Sequence, residues 1–244
     1  MSGIKILSNY HICQINIAFK KQGLELFLQK PYLLNYASMK IKNNKKIISA
    51  LVQKDGSMLE YASDDFKKDK EIVLLAVQNY PSAIKHAPEE LQNDADIVLT
   101  CIKNGYIYLP TNLCNNKEFV SKAVQINSHV MRCASPKLQN DKELVLLAIK
   151  KEALTYQYAS DELKYDEEVL TQALTQNGIV LSMVPYEISK DKKYVLLAIQ
   201  NNYLALKYTT EELKKQLINK EEIKALIIKN SNDKPQKKFY VGEL

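Results

Sequence analysis

Apolar residues recur along this chain with a period of 25 positions. The register is clearest in KEIVLLAVQNYPSAIKHAPEELQND (70–94) and KELVLLAIKKEALTYQYASDELKYD (142–166), and it holds in 45–69, 117–141, 167–191 and 192–216. A copy three residues shorter, ADIVLTCIKNGYIYLPTNLCNN, fills 95–116. A degenerate copy at 24–44 precedes the set, and a half copy (EEIKALIIKN, 221–230) follows it.

Within each block the third, fourth, seventh and eighth positions are apolar, as in Ile72, Val73, Ala76 and Val77. That spacing makes one stripe on an α-helix. The residue just before it is Asp69, Asp94, Asp141, Asp166, Asp191 or Asn116. Each is an N-cap type whose side chain accepts the free N–H groups of the first turn. A break follows, marked by Pro31, Gly56, Pro81 or Gly178. A second apolar set at positions 14, 15 and 18 (Ala83, Ile84 and Ala87) predicts a second, shorter helix. Ser38, Ser63, Ser135, Ser160 and Thr209 then start a final turn. Its apolar anchor is Ile41, Phe66, Leu91, Leu113, Leu138, Leu163, Ile188 or Leu213.

One such hairpin cannot bury its own stripe, so neighbours must stack and share a core. Small residues at position seven (Ala76, Ala123, Ala148, Ala173, Ala198) suit close approach of adjacent helices. The expected fold is an all-α solenoid of stacked short helical hairpins. Its expected divisions are a cap with the degenerate repeat (1–44), N-terminal repeats ending in the shortened copy (45–116), C-terminal repeats with a capping helix (117–230), and a flexible tail (231–244). The period is too short for tetratricopeptide, ankyrin or HEAT repeats, and the LxxLxL strand of leucine-rich repeats is missing.

The motif D-K-E-(I/L)-V-L-L-A-(V/I), followed by YAS-x-E-L-x-x-D, resembles a domain of unknown function built from tandem short helical pairs. The resemblance covers roughly 24–230 and is closest at 70–94 and 142–166. It implies a protein-binding or structural module. It also implies a setting among effectors of bacteria that live inside eukaryotic hosts, or among proteins of protists and large viruses. It transfers no catalytic residue.

Composition adjusts this picture in three ways. No apolar run reaches the roughly 18 residues of a membrane span. The N-terminus breaks its apolar residues with Lys5, Asn9, His11 and Gln14, unlike a signal peptide, and a cytoplasmic location or delivery into a host cytosol is expected. The net charge is +6, but 33 of the 34 basic residues are lysine. Lysine lacks the bidentate fork that favours arginine in phosphate and base recognition, so nucleic acid is a disfavoured partner.

Candidate chemistry is sparse. Cys101, Cys114, His129 and Cys133 form a loosely zinc-like series, yet Cys101 falls in the alanine slot, and no metal or cofactor is expected. His11, His86 and His129 stand beside no nucleophile motif, so no catalytic residue and no enzyme is expected. Tyr36, Tyr61, Tyr158 and Tyr208 share position 17, a ladder that covers the seams or anchors a partner. Tyr106 and Tyr108 lie in the shortened copy, where the missing residues should bend or widen the stack over 104–116. Arg132 follows in the next copy. The expectation is a protein partner held by Tyr106, Tyr108, Arg132, Tyr158 and Tyr208. A single-stranded RNA-binding repeat and an enzyme with a site near 104–133 are the alternatives. The tail 231–244 reads as a candidate export signal or docking peptide.

Overall fold

A computed structural model describes residues 2–218. The half copy at 221–230 and the tail at 231–244 therefore lie outside the described residues. The fold is all-α: among the described residues there is no strand, and each full-length repeat contributes a helical hairpin. The chain divides into two compact units, one of residues 1–133 and one beginning at Ala134.

The first unit opens with α1 (Ser2–Gln22), followed by the short α2 (Glu25–Gln29). Its Ile15 is buried, and Phe19 meets Phe27 with ring centroids 5.3 Å apart. The repeat helices α3 (Lys45–Lys54), α4 (Lys70–Asn79), α5 (Ala95–Lys103) and α6 (Lys117–Ile126) follow and pack in succession. The second unit holds α7 (Lys142–Lys151), α8 (Glu167–Gln176) and α9 (Lys192–Asn201), again packed in order.

Six of these seven helices start on the cap that the spacing predicts, and Asn44 takes the same place ahead of α3. Asn44, Asp69, Asp94, Asn116, Asp141, Asp166 and Asp191 all accept a first-turn N–H. The apolar stripe is buried as expected: Ile72, Val73, Ala76 and Val77 are fully enclosed, as are Val169, Leu170, Ala173 and Leu174. Each helix is too short to persist alone, so this burial holds it.

The second helix is a 3-10 segment rather than an α-helix. It runs over Gly56–Tyr61, Pro81–His86, Ser128–Cys133, Ala153–Tyr158, Gly178–Ser182 and Tyr203–Tyr208. Such runs are seldom this long. In four of the six a cap at position 11 supports them: Asp55, Asn127, Asn177 and Asn202 each accept an N–H two residues on. Position 18 is not part of the segment. Ala62, Ala87 and Ala159 are buried there in extended backbone that turns the chain into the closing turn. The closing turn in the last copy begins at Thr210, whose hydroxyl accepts the Leu213 N–H. Thr209, the residue expected there, is instead buried one position earlier and donates to the Ser189 carbonyl at 2.7 Å.

Two devices join neighbouring repeats. The first is an amide clamp at position 10. Asn79 accepts the Gly56 N–H at 2.6 Å and donates to the carbonyls of Val52 and Gln53. Asn201 does the same for Gly178, Thr175 and Gln176. One side chain thus satisfies carbonyls that the end of the preceding helix leaves open. The second is an ion ladder at the helix starts. Lys45 bridges Asp69 and Glu71, Lys70 bridges Asp94 and Asp96, and Lys142 bridges Asp166 and Glu168, all at 2.6–3.0 Å.

Burial pushes the Asp69, Asp94 and Asp166 carboxyls up, but the bridging lysine and the capped N–H groups together hold all three below the ordinary range. Because the folded value is the lower one, this contribution is complete above the unfolded range near pH 4 and is lost as pH falls through the folded value. The urea midpoint, followed by circular dichroism, is therefore expected to hold from about pH 7 to about pH 5 and drop below about pH 4. Asp94→Asn keeps a cap and should shrink that drop, while Asp94→Ala should also cost about 1 kcal/mol at neutral pH. An acid response that Asp94→Asn leaves unchanged would show that the Asp94 charge contributes nothing to it.

Candidate functional site

The shortened copy differs from its neighbours in one element. It keeps α5 and a closing turn, in which the Pro110 carbonyl accepts from Leu113 and Cys114, but it has no 3-10 segment. Where the other repeats place that segment, Tyr106–Pro110 runs as irregular chain. Gly105 makes the turn into it with φ of 86°, a left-handed value that glycine adopts without strain. Asn104 anchors the end of α5, donating to the carbonyls of Val77 and Thr100.

Tyr106 and Tyr108 meet there with ring centroids 6.3 Å apart and planes tilted by 32°. Tyr106 is exposed, while Ile107, Tyr108 and Leu109 are half-buried. Arg132 is exposed near the end of the next 3-10 segment, in the same unit. Of the predicted site residues, Tyr106 and Tyr108 are thus brought into direct contact.

The position-17 row ends each 3-10 segment. Tyr61, Tyr158 and Tyr208 are half-buried, whereas Tyr36 is more than half exposed at 54%. In the second unit Tyr158 borders a shallow cleft of about 360 Å³ with Pro136, Gln139, Gln157 and Lys164. The Lys207 ammonium lies 4.7 Å from the centre of the Tyr208 ring, a cation–π contact. A larger open groove of about 750 Å³ runs along α8, lined by Glu167, Glu168, Thr171, Gln172, Thr175 and Gln176 with Lys142 and Asp166.

Two of the reactive groups are shifted by packing within the repeats. Cys101 is fully buried in the alanine slot, and burial pushes its thiol up to about 12. Burial likewise lowers the His86 imidazole, opposed by Glu60 at 4.0 Å. Among the described residues no three His, Cys, Asp or Glu side chains group as a metal site.

Residue types alone missed two features. The position-10 clamp leaves a trace in sequence, because Asn79 and Asn201 each stand 23 residues after a glycine. Tyr156 leaves another: it is fully buried at a position held elsewhere by Leu34, Leu59, Ile84 and Leu181. Its hydroxyl donates to the Lys164 carbonyl at 2.8 Å, and in that repeat alone the closing turn is 3-10 rather than α.

No helix among the described residues is long and apolar enough to cross a membrane. Searches of curated proteins and of solved structures find no match to the chain. The family model described as a domain of unknown function, DUF4116, matches residues 24–68, 69–109, 105–139, 116–164, 141–189 and 166–214. These matches tile well over half of the chain in the register of the hairpins, and the chain belongs to the DUF4116 family.

Proposed function

We propose that this chain is a non-enzymatic protein-interaction module, working as a bacterial effector or the regulator of one and holding a protein partner on its repeat surface. The observation that carries the reading is the shortened copy. A stacked, preformed scaffold surrounds it, and at that point a tilted tyrosine pair replaces the structural segment. Preformed surfaces avoid ordering costs on binding, and tyrosine is enriched among residues that anchor interfaces. The effector setting follows from the family resemblance.

The ion ladder favours a protein over a nucleic acid. Lys45, Lys70, Lys142 and Lys193 each sit on a carboxylate of the neighbouring repeat, so these four ammonium groups are engaged within the fold. Binding a phosphate would mean giving up those contacts.

Affinity capture from a eukaryotic lysate, run with and without nuclease, tests the reading. The expected result is a stoichiometric protein that survives nuclease and is lost in the variant Tyr106→Ala/Tyr108→Ala/Arg132→Ala. Capture that disappears with nuclease would replace the reading by RNA binding. A partner retained by the variant would move the site away from the shortened copy.

A further inference from the structure

Three glycines follow a short acid or amide side chain, in Asp55–Gly56, Asn104–Gly105 and Asn177–Gly178. Such pairs are chemically labile. Glycine has no side chain to shield its main-chain nitrogen, which can bond to the carbonyl carbon of the preceding side chain and close a cyclic imide. In a folded chain the outcome depends on what holds the two groups apart.

At two of the pairs the fold holds them firmly. The Gly178 N–H donates to Asn201 Oδ1 at 2.9 Å, and the Asn177 side chain accepts from Ile179 at 3.0 Å. The Gly56 N–H donates to Asn79 Oδ1 at 2.6 Å, and the Asp55 carboxylate accepts from Ser57 at 2.9 Å. Both glycines are buried against the backbone of the next helix, at Ala198 and Ala76. Freeing either N–H therefore means parting two repeats.

Asn104–Gly105 has no such lock. Both residues are exposed, and nothing lies within 4 Å of where a Gly105 side chain would begin. The Gly105 N–H donates to the Ile102 carbonyl at 3.1 Å, within the end of α5. The Asn104 amide donates to the carbonyls of Thr100 at 3.0 Å and Val77 at 3.4 Å, the latter a long bond. Helix ends fray, and they open at far lower cost than packed seams. Asn104 also stands at position 10, so the labile amide is itself the clamp of its repeat.

We propose that Asn104–Gly105 is a self-modification site, at which spontaneous deamidation releases the clamp between α4 and α5. The Gly105 main-chain nitrogen gives its proton to hydroxide and bonds to Asn104 Cγ. The bond from Cγ to the side-chain nitrogen breaks, and that nitrogen leaves as ammonia with a proton taken from water. A second water then opens the imide. Addition at Cγ restores the main chain and leaves aspartate. Addition at the main-chain carbonyl leaves isoaspartate, whose main chain runs through Cγ and is one carbon longer. No oxidant or reductant takes part. In both products the Nδ2 donor is gone, so the Val77 and Thr100 carbonyls lose their partner and a negative charge is added beside them. Isoaspartate also lengthens the chain just ahead of Tyr106, whose N–H is held by the Cys101 carbonyl at 2.9 Å.

The purified full chain, aged in mildly alkaline buffer and sampled over weeks, carries the test. Digestion and mass spectrometry locate each amide converted to an acid, and electron-transfer fragmentation separates isoaspartate from aspartate. The expected result is conversion at Asn104 well ahead of Asn177, with Asp55 unchanged, and a urea midpoint that falls as the converted fraction grows. A chain aged in strong urea should lose that order, because both Asn–Gly pairs are then equally open. Freshly made Asn104→Asp should show the lowered midpoint at once. Asn104→Gln keeps an amide, closes its larger imide ring far more slowly, and should hold its midpoint through the same ageing. Conversion at Asn177 equal to or ahead of Asn104 in the folded chain overturns the proposal. So does an Asn104 that stays intact in buffer while converting in urea, or a midpoint that Asn104→Asp leaves unchanged.

Discussion

Gly178→Ala is expected to destabilise the second unit by about 3 kcal/mol, near the upper end for forcing extra volume into a packed site. A methyl group on Gly178 would lie 2.1 Å from the Ala198 carbonyl oxygen and 2.9 Å from its carbon. These are backbone atoms of the next helix, so no side chain can swing away. Relief requires the two repeats to part, which also pulls the Gly178 N–H from Asn201 Oδ1 at 2.9 Å. Gly56→Ala should behave alike, with its methyl 2.2 Å from the Ala76 carbonyl oxygen. Gly105→Ala is the contrast: its φ is positive, but nothing lies within 4 Å, so the cost is a backbone strain of about 1 kcal/mol.

The wild-type chain also contains the repair. In the preceding repeat Ala153 stands where Gly178 stands, and the clamp there is Gln176, whose longer arm reaches the Lys150 carbonyl. A seam widened by a methyl group is thus spanned by one more methylene. Gly178→Ala/Asn201→Gln should therefore recover part of the loss, as a non-additive pair in a double-mutant cycle. Urea unfolding of the four proteins measures it. Equal losses for Gly105→Ala and Gly178→Ala would mean that the seam yields freely. Asn104 shows the limit of the pairing, since it faces Pro81, which has no N–H to offer, and keeps only the carbonyl half.

Tyr156→Ala is expected to cost about 3–5 kcal/mol, the range for emptying a buried aromatic site. The ring is wholly enclosed, and its hydroxyl holds the Lys164 carbonyl. Tyr156→Phe keeps the ring and leaves that carbonyl unpaired, for a loss of about 1–2 kcal/mol. Tyr156→Leu restores the residue type used by Leu34, Leu59 and Leu181, so its cost should lie between the two. That variant should also let the closing turn at Leu163–Tyr165 relax toward the α form seen in other repeats. Thermal unfolding orders the three variants, and amide exchange over 161–166 follows the turn. If Tyr156→Phe cost as much as Tyr156→Ala, the hydrogen bond rather than the ring would dominate.

The fold was legible because its information is periodic and local. Seven capping side chains precede seven apolar stripes, and each stripe has the helical spacing, so chain order alone locates the helices. The second element lies where the pattern places it, and its 3-10 form is what the pattern leaves open. Apolar residues at positions 14 and 15 suit either geometry. The extended residue at position 18 closes the segment after six residues, and in some repeats a side-chain cap at position 11 also opens it.

The candidate site was legible as a place and not as an arrangement. The missing three residues mark 95–116, yet they do not say which element absorbs the loss. That the 3-10 segment disappears while the closing turn survives depends on Pro110 and on the burial of Leu113, the anchor retained in the shared core. The pairing of the lysines is hidden from the sequence for a related reason. Composition counts charges, while the bridges to Asp69, Asp94 and Asp166 depend on which carboxylate the next repeat brings near.

By itself the sequence determined the repeat, its period, the helix starts and the buried stripe, because each depends on neighbours within a few residues along the chain. Only the tertiary structure decided the contacts: that Asn79 reaches back to Gly56, that Gly178 is flush against the Ala198 carbonyl, and that the Tyr106 and Tyr108 rings meet. Those contacts join residues through space, where a shift of less than one methyl group changes the outcome, and no local pattern encodes distances that fine.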